Sequence, residues 1–370
     1  MQQLKKGERR VNCIIMGAAG RDFHDFLTFF RHQPQWNVCA FTATQIPFID
    51  SRSFPQLLTG PHYVRDIPIY PEEQLSELIE QYNVDVVFFA YSDISHTEVM
   101  HRASLVQSCG AAFAILGPRQ TQISCKKPVV AVTAVRTGAG KSPICQWLAA
   151  RLQESGTRVG VIRHPMPYGD LSRQQVEHFI SLADLDKYDC TIEEREEYTP
   201  YLERNISLFA GCDYSEIVRR AEESSDVLLW DGGNNDYPFI RPNVLIVVAD
   251  ALRPGHETEF FPGETNLRMA DLVVINKVRD ADPEKVAQIR ENVVAFNPDA
   301  ALTTGDLQIV VLNADEMRNR RVLVIEDGPT ITHGGMPHGA GLVTARRHAP
   351  SRRTGRSLRR RNNPCCSSTG

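Results

Sequence analysis

Val129-Val130-Ala131-Val132-Thr133-Ala134-Val135-Arg136-Thr137-Gly138-Ala139-Gly140-Lys141-Ser142 is the stretch on which the reading of the fold turns. It opens as an apolar, β-branched run, the pattern of a strand buried on both faces. A glycine-bearing turn follows and ends in Gly-Lys-Ser. From Pro143 onward a helical pattern sets Ile144, Trp147, Leu148 and Leu152 on one face. Strand, phosphate loop and helix succeed one another without a break. Gly138 and Gly140 let the backbone approach a phosphate closely, and the loop N–H groups and helix N-terminus face the anion. Thr137, Gly138, Ala139, Gly140, Lys141 and Ser142 are therefore the candidate nucleotide loop. Lys141 can reach the β- and γ-phosphates, and the Ser142 hydroxyl can bind Mg²⁺. A glycine turn that merely happens to contain Gly-Lys-Ser is the bland alternative, and the flanking strand and helix weigh against it.

The spacing is not standard. The usual pattern places glycine five residues before the Gly of Gly-Lys, which here is Val135; the small residue Ala134 sits one place earlier. That longer loop resembles the one in dethiobiotin synthetase. Arg136 stands five residues before Lys141, where another branch of the same class carries a signature lysine that reaches across a dimer. Arg136 is thus a catalytic candidate, acting on transferred-phosphate charge in cis or across a homodimer. Its alternative is an arginine that points to solvent or packs over the loop.

The chain has 370 residues, room for two or three domains with real cores. With 42% apolar and 23% charged residues it reads as an ordinary globular protein. Net charge is −4, but Ala345 to Gly370 holds eight arginines and no acid, and taking those eight charges away leaves −12 for the body. An acidic body argues against general nucleic-acid binding. The nine cysteines (13, 39, 109, 125, 145, 190, 212, 365 and 366) form no Cys-x-x-Cys pair, so there is no zinc spacing. Several sit in apolar runs, which fits free thiols in a reducing compartment. No signal peptide or membrane span is visible, and a cytoplasmic protein is expected.

Before the phosphate loop, Val11 to Met16, Trp36 to Thr42, Val84 to Ala90 and Ala111 to Leu116 read as strands. Segments 23–31, 70–82 and 97–107 read as helices between them. Alternation of this kind predicts a parallel, doubly wound sheet. The first turn, Gly17-Ala18-Ala19-Gly20-Arg21-Asp22, misses the dinucleotide fingerprint at Ala19 and Asp22. It is either a tight turn into a helix or an anion or nucleotide site, and Arg21, Asp22 and His24 keep the second possibility open. A boundary near Ser124 is natural.

After the phosphate loop, the strand Thr157 to Ile162 ends in Arg163-His164-Pro165-Met166-Pro167-Tyr168-Gly169-Asp170. A basic pair at the carboxyl end of a parallel strand lies where open α/β sheets bind ligands, though a proline-rich surface turn would look similar. Residues 188–201 are acidic and read as a solvated loop or helix face, and Tyr214 to Ser224 as a helix. Val227-Leu228-Leu229-Trp230 ends in Asp231-Gly232-Gly233-Asn234-Asn235-Asp236. A strand ending in aspartate after a phosphate loop reads as the acidic partner of Mg²⁺, directly or through water. Val244 to Ala249 ends in Asp250, with Arg253 and His256 beyond; Leu272 to Ile275 ends in Asn276-Lys277. Asn276 can meet a purine edge, but Arg279 stands where a guanine reader would have aspartate. Pro283 to Val294 reads as a helix, and Val310 to Leu312 and Val322 to Ile325 as final strands. The glycine-rich stretch 334–341 is either a second anion loop or a linker. From about His348 the apolar period stops, which reads as disorder.

Taken together, the loop at 134–142, segment 163–170, Asp231 to Asp236, Asp250 to Glu257 and Glu326 to Gly334 resemble the cyclic 2,3-diphosphoglycerate synthetase family over roughly residues 10 to 345. The resemblance implies an ATP-dependent ligase that closes an intramolecular phosphoanhydride in 2,3-diphosphoglycerate. It also implies a C-terminally shortened chain, because the family continues as folded protein beyond the stretch near 341.

The expected architecture is α/β: a Rossmann-like parallel sheet over 10–124, a phosphate-loop NTPase domain over 125–345, and a disordered arginine-rich tail over 346–370. The expected cofactors are ATP and Mg²⁺, the metal held by Ser142 and Asp231. Arg136, Lys141 and Asp231 are the expected catalytic residues, and Asn276 joins the nucleotide loop. Arg163, His164, Arg253 and His256 are the candidates for a small polyanionic phosphate substrate, because such a ligand needs several cations facing it. A homodimer is expected, with no nucleic-acid or membrane partner. The rival reading is a nucleotide-hydrolysing switch that acts on a protein partner, with Asp231-Gly-Gly as its moving loop. NAD-dependent redox chemistry in the first domain is the weaker third reading.

Overall fold

The computed structural model describes residues 9–18, 20–44, 52–164, 171, 173–233, 236–312, 314–318, 320, 322–326, 336 and 339–348. Several expected features therefore lie outside the described residues: 165–170 of the candidate substrate loop, 234–235 after the acidic strand, 327–335 running into the glycine-rich stretch, and the tail from 349.

The first sheet begins with β1 (Val11–Met16), followed by the short α1 (Arg21–Asp25), which runs on as a π-helical turn over Phe26–Phe30. Next come β2 (Trp36–Ala43), β3 (Ser53–Phe54), α2 (Gln56–Thr59), β4 (Ile67–Pro71), α3 (Leu75–Gln81), β5 (Val86–Phe89), β6 (Ile94–Ser95), α4 (His96–Ser108), β7 (Ala112–Ala114) and α5 (Pro118–Thr121). The six-stranded order is β3-β4-β2-β1-β5-β7, parallel except for the β3 edge. Tyr70 falls in β4 rather than in the helix expected over 70–82. The backbone stays extended through Pro71, and the helix begins only after a 3₁₀ turn at Glu72–Gln74.

The second sheet is built on β8 (Val129–Ala134), which leads into α6 (Lys141–Glu154). It continues with β9 (Val159–Ile162), β10 (Glu177–Phe179), α7 (Ala183–Lys187), α8 (Ile192–Leu202), β11 (Ser207–Ala210), α9 (Tyr214–Ser224), β12 (Val227–Trp230) and β13 (Val244–Asp250). Then follow α10 (His256–Glu259), β14 (Phe260–Phe261), α11 (Gly263–Met269), β15 (Leu272–Asn276), α12 (Pro283–Phe296) and β16 (Ala301–Thr304). The order is β10-β11-β9-β12-β8-β13-β15-β16, with β10 alone antiparallel. β8 lies near the middle, and its side chains alternate between two cores. Val129 and Ala131 join a cluster with Trp230, Val247 and Leu267; Val132 and Ala134 join one with Cys145, Val161 and Leu229. Burial on both faces is why this strand reads as a continuous apolar run.

A two-stranded ribbon pairs β6 with β14, Ser95 against Phe260 and Ile94 against Phe261, and so ties the connection after β5 to the segment after β13. Two compact units divide at Leu307 and Gln308, and both sheets belong to the first. In the second unit, Val310–Leu312 and Val322–Ile325 form no strand, against expectation. Apolar runs this short do not distinguish strand from coil. That unit carries α13 (Ala340–His348), whose first turn is held by Glu326, which accepts from Gly339 N at 2.9 Å and Leu342 N at 2.8 Å. The helix thus passes through Arg346 and Arg347. Among the described residues, no helix is long and apolar enough to cross a membrane.

Candidate active site

β8 delivers the chain to the loop, and α6 takes it away. Gly138 (φ 78°) and Gly140 (φ 105°) occupy the left-handed region that a side chain disfavours. A Cβ on Gly140 would run into the Asn276 amide. Three successive loop carbonyls are pinned from behind. Arg253 Nη2 donates to Thr137 O at 2.8 Å, Lys277 Nζ to Gly138 O at 2.6 Å, and Asn276 Nδ2 to Ala139 O at 2.8 Å. Ala139 N–H closes the turn on Arg136 O at 3.2 Å, and holding the carbonyls on one side turns Gly138 N–H to the other, toward an anion. The first turn of α6 has no side-chain cap, and its N-cap residue is Gly140 itself. Its open N–H groups and the helix dipole add to the same seat.

Both strands beside β8 end in aspartate, and the two aspartates do different work. Asp250, at the end of β13, accepts from Arg253 Nε at 2.9 Å and Lys277 Nζ at 2.8 Å, so it anchors two of the three loop braces. Asp231, just past β12, is 0% exposed. It accepts from Lys141 Nζ at 2.7 Å, Tyr201 Oη at 2.6 Å and Arg163 Nη1. Burial works against its charge, but Arg163 and Lys141 outweigh it, and its carboxyl is held below the usual carboxylate range. Lys141 and Asp231, expected to share the site, are in direct contact, and Ser142 occupies the second position of α6.

The four expected substrate cations do not face one ligand as a set. Arg163 is divided between Asp231 and Glu197, and Arg253 is paired with Asp250. His164 shares a hydrogen bond with Tyr214 Oη through Nδ1 at 2.7 Å. Its burial, with His24, Lys141 and Arg163 nearby, lowers its pKa to about 3, so the ring is neutral. The His256 pKa is also lowered, by burial and then by Arg136 and Arg253. Asn276, expected at a purine edge, donates to Ala139 O and braces the loop.

Arg136 is 6% exposed. Its Nε lies 2.6 Å from Asp93 Oδ1, its Nη1 3.2 Å from His256 Nδ1, and its guanidinium 3.6 Å over the Phe260 ring. Asp93 Oδ2 also accepts from Thr137 N at 3.3 Å. Asp93 sits at φ 58° in the connection after β5, so the first sheet clasps the phosphate loop of the second. Asp93, Tyr201, Glu197, Asp250 and Lys277 are the residues sequence reasoning passed over as site residues. Only Asp250 and Lys277 carried a local signal, each lying at the carboxyl end of a buried strand.

This fold and this site define a phosphate-loop α/β enzyme. No protein-family model matches the chain. It belongs to the family of the arginine synthetase ArcE of Thermococcus kodakarensis, to which it is 52% identical over 343 residues, 93% of this chain and 76% of that protein. Among solved structures it is similar to the hydrogenase maturation factor HypB of Archaeoglobus fulgidus (20% identity, 49% of this chain and 81% of that one, TM-score 0.32). It is also similar to LpxK of Aquifex aeolicus solved with ATP (16% identity, 54% and 58%, TM-score 0.34). Neither overlap is close enough to carry an argument.

Proposed function

We propose that this chain is an ATP- and Mg²⁺-dependent synthetase that phosphorylates an oxygen of a small acceptor so that an amine can displace it, with arginine as the product. The observation that supports this most is the braced loop with Lys141 on Asp231. In this reading Lys141 leaves Asp231 for the β- and γ-phosphates when ATP enters, and the loop N–H groups and α6 hold the remaining oxygens. Ser142 and Asp231 offer the all-oxygen donor set that Mg²⁺ prefers, and Asp231 stays ionised for it. Mg²⁺ bound there would neutralise charge on the phosphates. Arg136, held by Asp93, precedes Thr137 at the start of the loop, and this reading has it act in cis on transferred-phosphate charge.

The chemistry has a plain logic. A guanidinium can be made from a ureido group, but the ureido oxygen is a poor leaving group. Transfer of the γ-phosphoryl to that oxygen yields ADP and an activated carbon. Attack by ammonia at that carbon then expels phosphate and leaves the guanidinium. The name of the arginine-forming relative favours this acceptor.

Ring closure of 2,3-diphosphoglycerate would use the same activation on a phosphate oxygen, and the motif set favours that second reading. Against it stands the pairing of Arg163 and Arg253 with carboxylates, which leaves few cations for a polyanion. The test is to incubate the protein with ATP and Mg²⁺ and either L-citrulline with ammonium or 2,3-diphosphoglycerate. Amino-acid analysis and phosphorus NMR then identify the products. L-Arginine formed one-for-one with ADP and phosphate is the expected result. A cyclic phosphoanhydride would select the second reading. ATP hydrolysis indifferent to either acceptor would overturn both in favour of a nucleotide switch.

A further inference from the structure

The first loop of the six-stranded sheet holds a group of buried charges that the nucleotide site does not use. The loop follows β1, and β5 lies beside β1 on the side where the strand order reverses. Open α/β sheets take ligands at such a point. α1 carries Arg21 and Asp25 there. Asp236 comes in from the other sheet, five residues after Asp231 on the same connection. Arg21 and Asp25 are each 2% exposed and Asp236 6%.

These charges are near one another without being joined. Arg21 Nε lies 3.9 Å from Asp25 Oδ2, and Arg21 Nη1 lies 3.9 Å from Asp236 Oδ1. Both distances are beyond a hydrogen bond. Arg21 is fixed by its other nitrogen, Nη2, which donates to Leu116 O at 3.3 Å and to Tyr237 Oη. Its guanidinium lies 3.9 Å over the Tyr237 ring. Among the described residues, Arg21 Nε and Nη1, Asp25 Oδ1 and Asp236 Oδ1 have no hydrogen-bond partner. Buried charged groups left in that state are costly. Burial, only partly offset by Arg21, pushes Asp25 up to about 8 and Asp236 up to about 7. The cluster carries more carboxyls than cations, and four of its buried donor and acceptor atoms are unpaired among the described residues.

The geometry points to a binding site for the head group of an α-amino acid: its carboxylate accepts from Arg21 Nη1, and its ammonium donates to Asp25 Oδ1 and Asp236 Oδ1. A zwitterion satisfies the orphaned cation and the orphaned carboxylates together, which neither a simple anion nor a simple cation does. The choice of amino acid rests on the arginine-forming reading above. Because Asp236 shares its connection with Asp231, the acceptor site and the nucleotide site are carried by one segment.

The test is titration calorimetry on the full chain with Mg²⁺ and a non-hydrolysable ATP analogue. L-Arginine should bind, while agmatine, which lacks the carboxylate, and Nα-acetyl-L-arginine, which lacks the ammonium, should bind at least about tenfold more weakly. Asp236→Asn and Asp25→Asn should each weaken L-arginine by at least about tenfold without changing nucleotide affinity. L-Arginine and agmatine binding equally, or both variants binding L-arginine as the wild type does, would overturn the site and leave the arginine-forming reading standing. Failure of the wild type to bind L-arginine at all would overturn both. If the variants do not fold, the three ligands on the wild type decide alone.

Discussion

Two glycine turns in this molecule do the same topological job and end with opposite chemistry. Each leaves the carboxyl end of a central parallel strand and enters a helix. After β8 the turn opens onto a helix of 14 residues with no side-chain cap, and three side chains pull its carbonyls aside. After β1 the helix has five residues, and the seat that an anion would take is filled by the protein itself. Asp22 Oδ1 accepts from Gly20 N at 3.2 Å and Phe23 N at 2.7 Å. A fixed carboxylate sits where a dinucleotide phosphate would need those N–H groups, which weighs against redox chemistry with NAD in the first sheet. A glycine turn before a helix is therefore an anion site only when nothing covalent already occupies it.

The largest effect that would break this contrast is at Lys141. Lys141→Ala should cut nucleotide hydrolysis by about 10²–10³ or more, as loss of one preorganised charge-stabilising donor does. Its melting temperature should stay close to wild type, because Arg163 and Tyr201 still hold Asp231. Steady-state phosphate release measures the first and thermal denaturation the second; unimpaired hydrolysis would remove the nucleotide seat. Arg163→Met should act mainly on stability. It removes the more deeply buried of the two cations that hold the Asp231 carboxylate, and breaking a buried pair from one side costs about 3–5 kcal/mol. Denaturant midpoints at fixed m-value would show it.

At the first turn the effects should be smaller. Asp22→Ala removes the acceptor of the Gly20 and Phe23 N–H groups, with an expected loss of about 0.5–1.5 kcal/mol by chemical denaturation and unchanged ATP affinity. Weakened ATP binding in that variant would mean that the two turns are not independent. The pH prediction is subtler. The folded pKa values of Asp25 (about 8) and Asp236 (about 7) lie above the ordinary carboxylate value of 3.8, so the folded state holds protons that the unfolded chain has lost. Stability from these two groups is greatest below pH 4 and falls as pH rises towards 8. His24 and His164, lowered to about 3 by burial, tilt the curve the other way between pH 3 and 6.5. Asp25→Asn should therefore flatten the decline above pH 6.5 relative to wild type, where the histidines no longer contribute. Parallel curves for variant and wild type would show that Asp25 does not carry the shift.

Much of the second sheet was legible because buried parallel strands are continuous apolar runs. β12, β13 and β15 were read within a residue of their observed ends, β8 from its observed start, and α9 at its observed bounds. The two-residue strands β3, β6 and β14 left no pattern, being too short for a period to register. In the site, Lys141, Ser142 and Asp231 were legible because a local motif fixes them. Arg163 and Arg253 were read as cations awaiting a substrate, since sequence does not show that Glu197, Asp231 and Asp250 face them. Asp93 was illegible for the same reason: it meets Arg136 only because the first sheet comes back onto the second, 43 residues further along the chain.

The three braces behind the phosphate loop grip main-chain oxygens. The shape of the cradle is thus written at Arg253, Lys277 and Asn276, more than 110 positions downstream of the turn it shapes. Apart from Gly138 and Gly140, whose left-handed backbone disfavours a side chain, the spelling of the turn can drift so long as its carbonyls stay in place. That is how a loop with one residue too many, and Val135 where the common pattern has glycine, can still present a phosphate seat. A search that reads only the letters of the turn judges it by the part of the molecule that matters least to its form.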